Sequence, residues 1–235
     1  MRIVLNATIL FMIRNWGCLR LAGLKPFCWK VFPIHTQYRS RTTVRLIINM
    51  SRVSGKLLEP IAITQEDERN HNIECVNGAQ RMIYFHNEFF KSLRAAYGEL
   101  KVCTAVEGSL PMAIEPRYHR TLLIISQLCE HLQMHHSIEE TYIFPQIDHC
   151  AGKPLMMSEV EQHREIHTAM DALMSFVRKE LRSKGEIKKE NVETFIKLLD
   201  DMTIPLSQHL RDEIKTLLSL ADYMAPQLVK RCLMG

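Results

Sequence analysis

Eleven histidines in 235 residues is a high count, and several fall at metal-type spacing. His135 stands four residues before Glu139, and His136 four before Glu140. His163 stands four before His167, and His209 four before Glu213. His86 stands alone in the stretch "FHNEFF". Four residues of α-helix turn through about 400° and advance about 6 Å, so such pairs share one face. Two side chains on one face can converge on one metal ion or on two neighbouring ions. A single such pair is an ordinary solvated pair, and a lone histidine is an ordinary core or surface residue. One element on each of four successive helices, all able to face a common interior, is different. Carboxylates and imidazoles buried together need a compensating cation, and a metal supplies it.

His86, His135, His163, His167 and His209 offer five nitrogens, and Glu139 and Glu213 offer two carboxylates. If both carboxylates bridge two metals, and one oxo or hydroxo group does too, about eleven of twelve octahedral positions are filled. One position is left for a small ligand. This mix of imidazole and carboxylate suits two iron ions, with manganese possible. A structural zinc site takes four ligands and favours thiolates, so it fits poorly. The register on the second helix is open between His135/Glu139 and His136/Glu140. In the first register His136 serves in the outer shell. His131, one turn before His135, is a further residue able to line the interior, and Asp171 is placed to orient the imidazole of His167. His35, His71, His119 and His149 lack supporting spacing and read as surface residues. Tyr84, Tyr142 and Cys129 read as core packing.

These side chains need helices to position them. Residues 59–76 read as a polar lead-in, and Asn77-Gly78 as a turn or cap. A helix follows from Ala79, with Met82, Phe85, Phe89 and Leu93 on its apolar face. Residues 102–114 read as a loop. A second helix starts near Glu115-Pro116 and is kinked or ended by Pro145, before a loop at 149–154. A third runs from about Ser158 to Arg182, with Ser158 and Glu161 as a capping box. A fourth spans about 188–223, interrupted at Pro205. Leu128, Leu132, Ile138, Ile143, Ile166, Met170 and Leu210 read as core. No convincing strand follows residue 60. The expected fold is all-α, an antiparallel four-helix bundle over residues 59–235.

The formal charge of +4 is a sum of two unlike parts. Residues 1–58 hold ten Lys/Arg and no acid; the remaining 177 residues hold 20 basic and 26 acidic residues. The first segment therefore reads as a basic, poorly ordered extension. Its arginines and lack of acid are transit-like, which would make the protein mitochondrial. Alternatively, translation begins at Met50 and the protein is cytoplasmic. A secretory signal is the weaker reading, since Arg14 and Arg20 closely follow the apolar run 3–13. Nucleic-acid binding is not expected, because only this segment is basic and it lacks the motifs of a binding fold. No apolar run reaches the roughly 18–20 residues that span a bilayer. The seven scattered cysteines include no C-x-x-C pair, so neither a disulfide framework nor a thiolate site is expected.

With these motifs in view, the sequence resembles the hemerythrin/HHE cation-binding family. "HHSIEETYIFP" (135–145) is similar to the family's H-f-x-x-E-E-x-x-l-F-P. "QHREIH" (162–167) resembles its H-x-x-x-H element, "QHLRDE" (208–213) its last element and "FHNEFF" its first. The match covers about residues 80–222. It implies an antiparallel four-helix bundle around a non-haem di-iron centre. The family's ligands fall on His86, His135, Glu139, His163, His167 and His209. Oxygen-carrying members place an Asp five residues after the last histidine, where this chain has Ile214. Glu213, at four residues, takes its place, as in the iron-sensing members.

The expected function is handling of a small diatomic or peroxide ligand (oxygen, nitric oxide or peroxide), or of iron itself, as sensor, store or scavenger. The competing readings are a di-iron oxidase or peroxidase acting on an organic substrate, and an iron-responsive interaction module.

Overall fold

The computed structural model describes residues 55–234. The reading of residues 1–58 as a transit-like or untranslated segment lies, for residues 1–54, outside the described residues. The helices are α1 (Gln65–Asn70), α2 (Ile73–Thr104), α3 (Glu115–Ile138), α4 (Phe144–Ala151), α5 (Met157–Arg182), α6 (Lys189–Leu218) and α7 (Pro226–Met234). A π-helical turn, Glu139–Ile143, joins α3 to α4, and short 3-10 turns lie at Gly55–Leu58 and Ser219–Asp222. Among the described residues there is no strand, only an isolated bridge between Ser109 and Lys188. No helix among them is long and apolar enough to cross a membrane.

The long helices α2, α3, α5 and α6 pack in a closed cycle: α2 on α3, α3 on α5, α5 on α6, and α6 back on α2. The core between them includes Phe90, Leu93, Leu122, Ile125, Leu132, Ile166, Leu173, Phe195, Leu199 and Leu210, all without solvent contact. Of the residues expected in the core, Leu128 and Met170 are also buried, while Ile138 and Ile143 are half-exposed. Leu132 lies one turn before His135 and His136. Leu132→Ala should lower unfolding free energy by about 2–5 kcal/mol in a denaturant titration, through lost transfer energy and a residual cavity.

Several boundaries differ from the sequence reading. The lead-in holds a helix of its own: Thr64 Oγ1 accepts from Asp67 N at 3.1 Å, and Thr64 N donates to Asp67 Oδ2 at 2.8 Å, which is a capping box. Asn72, not Asn77, starts α2, its Oδ1 accepting from Glu74 N at 2.9 Å. Asn77-Gly78 is helix interior. The glycine serves packing there, because a Cβ at Gly78 would lie 2.5 Å from Leu233 Cδ1 on α7. Ser158 does not cap α5; its hydroxyl donates to Glu159 Oε2, and Asp148 Oδ1 instead receives the N–H groups of Leu155 and Met156.

Neither proline ends its helix. Pro145 lacks an N–H and would crowd the carbonyl of Thr141 in an α-helical turn. The wider π turn just before it relieves that conflict, with Phe144 N–H bonded to Glu139 O, and α4 then continues to Ala151. Pro205 sits inside α6, and Asp201, whose carbonyl loses its helical donor, is exposed.

The sequence reading expects no disulfide framework; Cys150 and Cys232 are nevertheless joined, linking the end of α4 to α7. They lie 82 residues apart, in no recognisable motif, so spacing gave no hint of the pairing. Cys75, Cys103 and Cys129 are free and buried.

Candidate metal centre

Each packed helix contributes to one polar cluster inside the apolar core. α2 carries His86, α3 carries His135 and His136, the π turn begins with Glu139, α5 carries His163, and α6 carries His209 and Glu213. His135 is 8% exposed, and the other six have no exposure at all. The ligand atoms form two groups, each within a mutual 4.8 Å: His86, His135, Glu139 and Glu213 in one, and His136, Glu139, His163 and His209 in the other. Glu139 belongs to both. Its place at the first residue of a π turn fits the frequent use of such turns at functional sites.

The ring hydrogens follow from the partners. His86 Nδ1 faces the carbonyl oxygen of Leu210 at 3.0 Å. His163 Nδ1 faces Glu140 Oε1 at 2.7 Å, and His209 Nδ1 faces Gln162 Oε1 at 3.0 Å. These oxygens can only accept, so each Nδ1 carries the hydrogen. Burial pushes the pKa of all three imidazoles down, His209 to about 2, so they are neutral and each Nε2 presents a lone pair.

Those lone pairs face other lone pairs. His163 Nε2 lies 3.1 Å from His209 Nε2, and His86 Nε2 lies 3.1 Å from Glu213 Oε2. His135 Nε2 lies 3.0 Å from Glu139 Oε1, and His163 Nε2 3.5 Å from Glu139 Oε2. Close as they are, His86 Nε2, His135 Nε2, His136 Nε2 and both oxygens of Glu139 and Glu213 have no hydrogen-bond partner. With the carboxyls ionised, these buried acceptors repel one another, and an unmatched buried polar group costs about 1–3 kcal/mol. A cation at the centre of each group turns that repulsion into coordination. The donor set, imidazole and carboxylate with no thiolate, fits a first-row transition metal.

Six of the seven residues expected as ligands meet in these groups: His86, His135, Glu139, His163, His209 and Glu213. The seventh, His167, belongs to neither group; its Nε2 lies 3.2 Å from His136 Nδ1. His136, read as outer-shell in the family register, is a member of the second group. The adjacent-histidine pair His135-His136 was the sequence feature that could have shown this. The alternative register is not adopted as a whole, because Glu140 is 42% exposed at its side chain and bonds His163 from outside. Asp171 and His131 are exposed and do not line the cluster. Tyr84 and Tyr142 are exposed too, which corrects their reading as core residues, whereas Cys129 is buried. Phe89 packs edge-on against His135, with ring centroids 5.2 Å apart, and Phe144 stacks at 5.5 Å on His163.

The match to family models decides the kinship. Residues 78–221 match the model of the hemerythrin HHE cation-binding domain. The chain belongs to that family. It is also similar to the dimeric xanthone biosynthesis cluster protein R11 of Cryptosporiopsis sp. (strain 8999), 27% identical over 151 residues. That alignment covers 64% of this chain and 52% of the relative, so the chain spans about half the length of the curated relative it matches. No solved structure gives a significant match. For this hemerythrin-domain chain, the polar cluster lies wholly within the matched residues.

The protonation of the cluster sets its pH response. Burial raises the pKa of Glu139 well above the usual carboxyl range and that of Glu213 to about 7. Burial lowers His135 to about 4, so the imidazoles stay ready to coordinate where the carboxyls hold protons. Metal uptake must displace those carboxyl protons. Affinity should therefore fall as pH drops through 7, by about tenfold per unit for each proton released. Metal titrations between pH 8 and pH 5.5 check this; a flat profile down to pH 5.5 is the contrary result.

Proposed function

We propose that this chain is an antiparallel four-helix bundle that holds two iron ions and handles a small ligand. That ligand is oxygen, nitric oxide, peroxide or iron itself, in the role of sensor, store or scavenger. The observation that carries the reading is the set of opposed lone pairs: His163 Nε2 against His209 Nε2, and His86 Nε2 against Glu213. His86, His135, Glu139 and Glu213 would hold one metal, and Glu139, His163 and His209 would hold the second, with Glu139 common to both sets.

A bound iron pair supplies electron exchange and a coordination position for the small ligand. The chain's own residues do the rest. Leu210 O, Glu140 and Gln162 fix the ring orientation of His86, His163 and His209. Such outer partners are worth about 10–100-fold in metal affinity. Phe89 and Phe144, both buried, keep water from the rings they pack against.

The test is an optical spectrum of the iron-loaded chain, first without oxygen and then under air. A near-ultraviolet charge-transfer band of a bridged iron pair should appear or shift on admission of air. An iron-loaded chain with the same featureless spectrum in both states would count against this function.

A second reading, an oxidase or peroxidase acting on an organic substrate, draws support from the relative, a biosynthesis cluster protein. Oxidative di-iron carboxylate bundles carry four glutamates and two Glu-x-x-His pairs. The two groups here contain only Glu139 and Glu213 as carboxylates. Turnover of an aromatic substrate by the iron-loaded chain would favour this second reading over the first.

A further inference from the structure

We infer that His136, rather than His167, supplies the third imidazole of the second metal position, and that His167 orients it. The inference rests on the metal-binding reading above and assigns one ligand within it. His136 has no solvent exposure, and one of its ring nitrogens lies within 4.8 Å of the ligand atoms of Glu139, His163 and His209. Its Nε2 is buried without a partner. Its ring stacks on that of His163, with centroids 3.8 Å apart and planes 8° apart, and stands 5.4 Å from that of His209.

The other ring nitrogen repeats a pattern already seen three times. A metal-ligating histidine donates its second N–H to an outer acceptor that fixes its tautomer. His86 donates to Leu210 O, His163 to Glu140 and His209 to Gln162. His136 Nδ1, 3.2 Å from His167 Nε2, is the fourth case, with His167 as acceptor. A His167 that accepts through Nε2 has that nitrogen engaged outside the cluster, in agreement with its absence from both groups.

Helix geometry explains how one segment serves two metals. His135 and His136 are adjacent, so their side chains leave α3 about 100° apart. Glu139 lies four residues after the first and three after the second, on the face between them. The run His135-His136-x-x-Glu139 thus gives one imidazole to each metal and the carboxylate that spans both. The total stays at five imidazoles and two carboxylates, and the coordination position for the small ligand is kept. α5 then supplies one ligand, His163, and the orienting His167 one turn further on.

The experiment compares cobalt(II) binding by the full chain with that of His136→Gln and His167→Gln. Cobalt per chain and the visible d–d band are read in each. The wild type should bind two cobalt ions. His136→Gln should bind one, since an amide replaces the imidazole in the second group. His167→Gln should still bind two, within about tenfold of wild-type affinity, because the amide oxygen can accept the N–H of His136. A drop to one cobalt in His167→Gln overturns the inference whatever His136→Gln does, folded or not. Two cobalt ions retained by a folded His136→Gln overturn it as well. A wild-type chain that binds no cobalt or iron instead removes the metal-binding reading on which the assignment rests.

Discussion

Glu139→Gln should lose both metals together at concentrations that saturate the wild type, while keeping its helical circular dichroism. Glu139 is the residue common to both ligand groups, with one oxygen 3.0 Å from His135 and the other 3.5 Å from His163. The substitution keeps the shape and removes the charge that two cations would share. Loss of a shared ligand should exceed the about 10–100-fold effect of an outer partner. The metal-free form should behave in the opposite sense. Burial holds this carboxyl well above its usual pKa, and both of its oxygens lack donors. The amide carries N–H donors at every pH, where the carboxyl has one only after taking up a proton, so the metal-free variant should melt at or above the wild-type temperature. Metal content by emission spectrometry and melting by circular dichroism decide the matter. A variant that keeps two metals per chain would show that Glu139 does not span them.

The second large effect is on stability. Seven buried side-chain atoms in the cluster have no hydrogen-bond partner, and each such group costs about 1–3 kcal/mol. Metal that binds only the folded chain adds about 2.7 kcal/mol at 100 times its dissociation constant. For a domain of this size 1 kcal/mol moves the melting temperature by about 2–4 °C. Loading at that excess should therefore raise melting by about 5–10 °C, and a chelator should reverse the rise. Differential scanning calorimetry reads both steps. An unchanged transition on loading would mean that the opposed lone pairs are not relieved by metal.

The parts legible in the sequence were those set by helical periodicity. His135, Glu139, His163, His209 and Glu213 were found because a spacing of four keeps side chains on one face, and His86, which stands alone, as the histidine of the first long helix. Helix existence was equally clear, since the pairs Phe89/Leu93, Leu128/Leu132 and Ile166/Met170 stand at helical intervals and all are buried. What sequence could not reach depends on contacts between distant segments. Gly78 reads locally as a turn, but its lack of a Cβ is used by Leu233, 155 residues away. Pro145 reads as a kink or a stop, and the π turn that accommodates it has no propensity signature. That turn also carries Glu139 and helps to set which neighbours it meets. The exchange between His136 and His167 was hidden for a related reason. Both have metal-type spacing, and only the packing of α3 against α5 shows which one enters the cluster.

The most direct test of the central claim is a metal count on the full chain, loaded anaerobically with iron(II) and freed of excess by gel filtration. Two cation groups that share Glu139 predict two iron ions per chain, and fewer in Glu139→Gln. A chain that folds, keeps its helical signal and retains no iron would contradict the account.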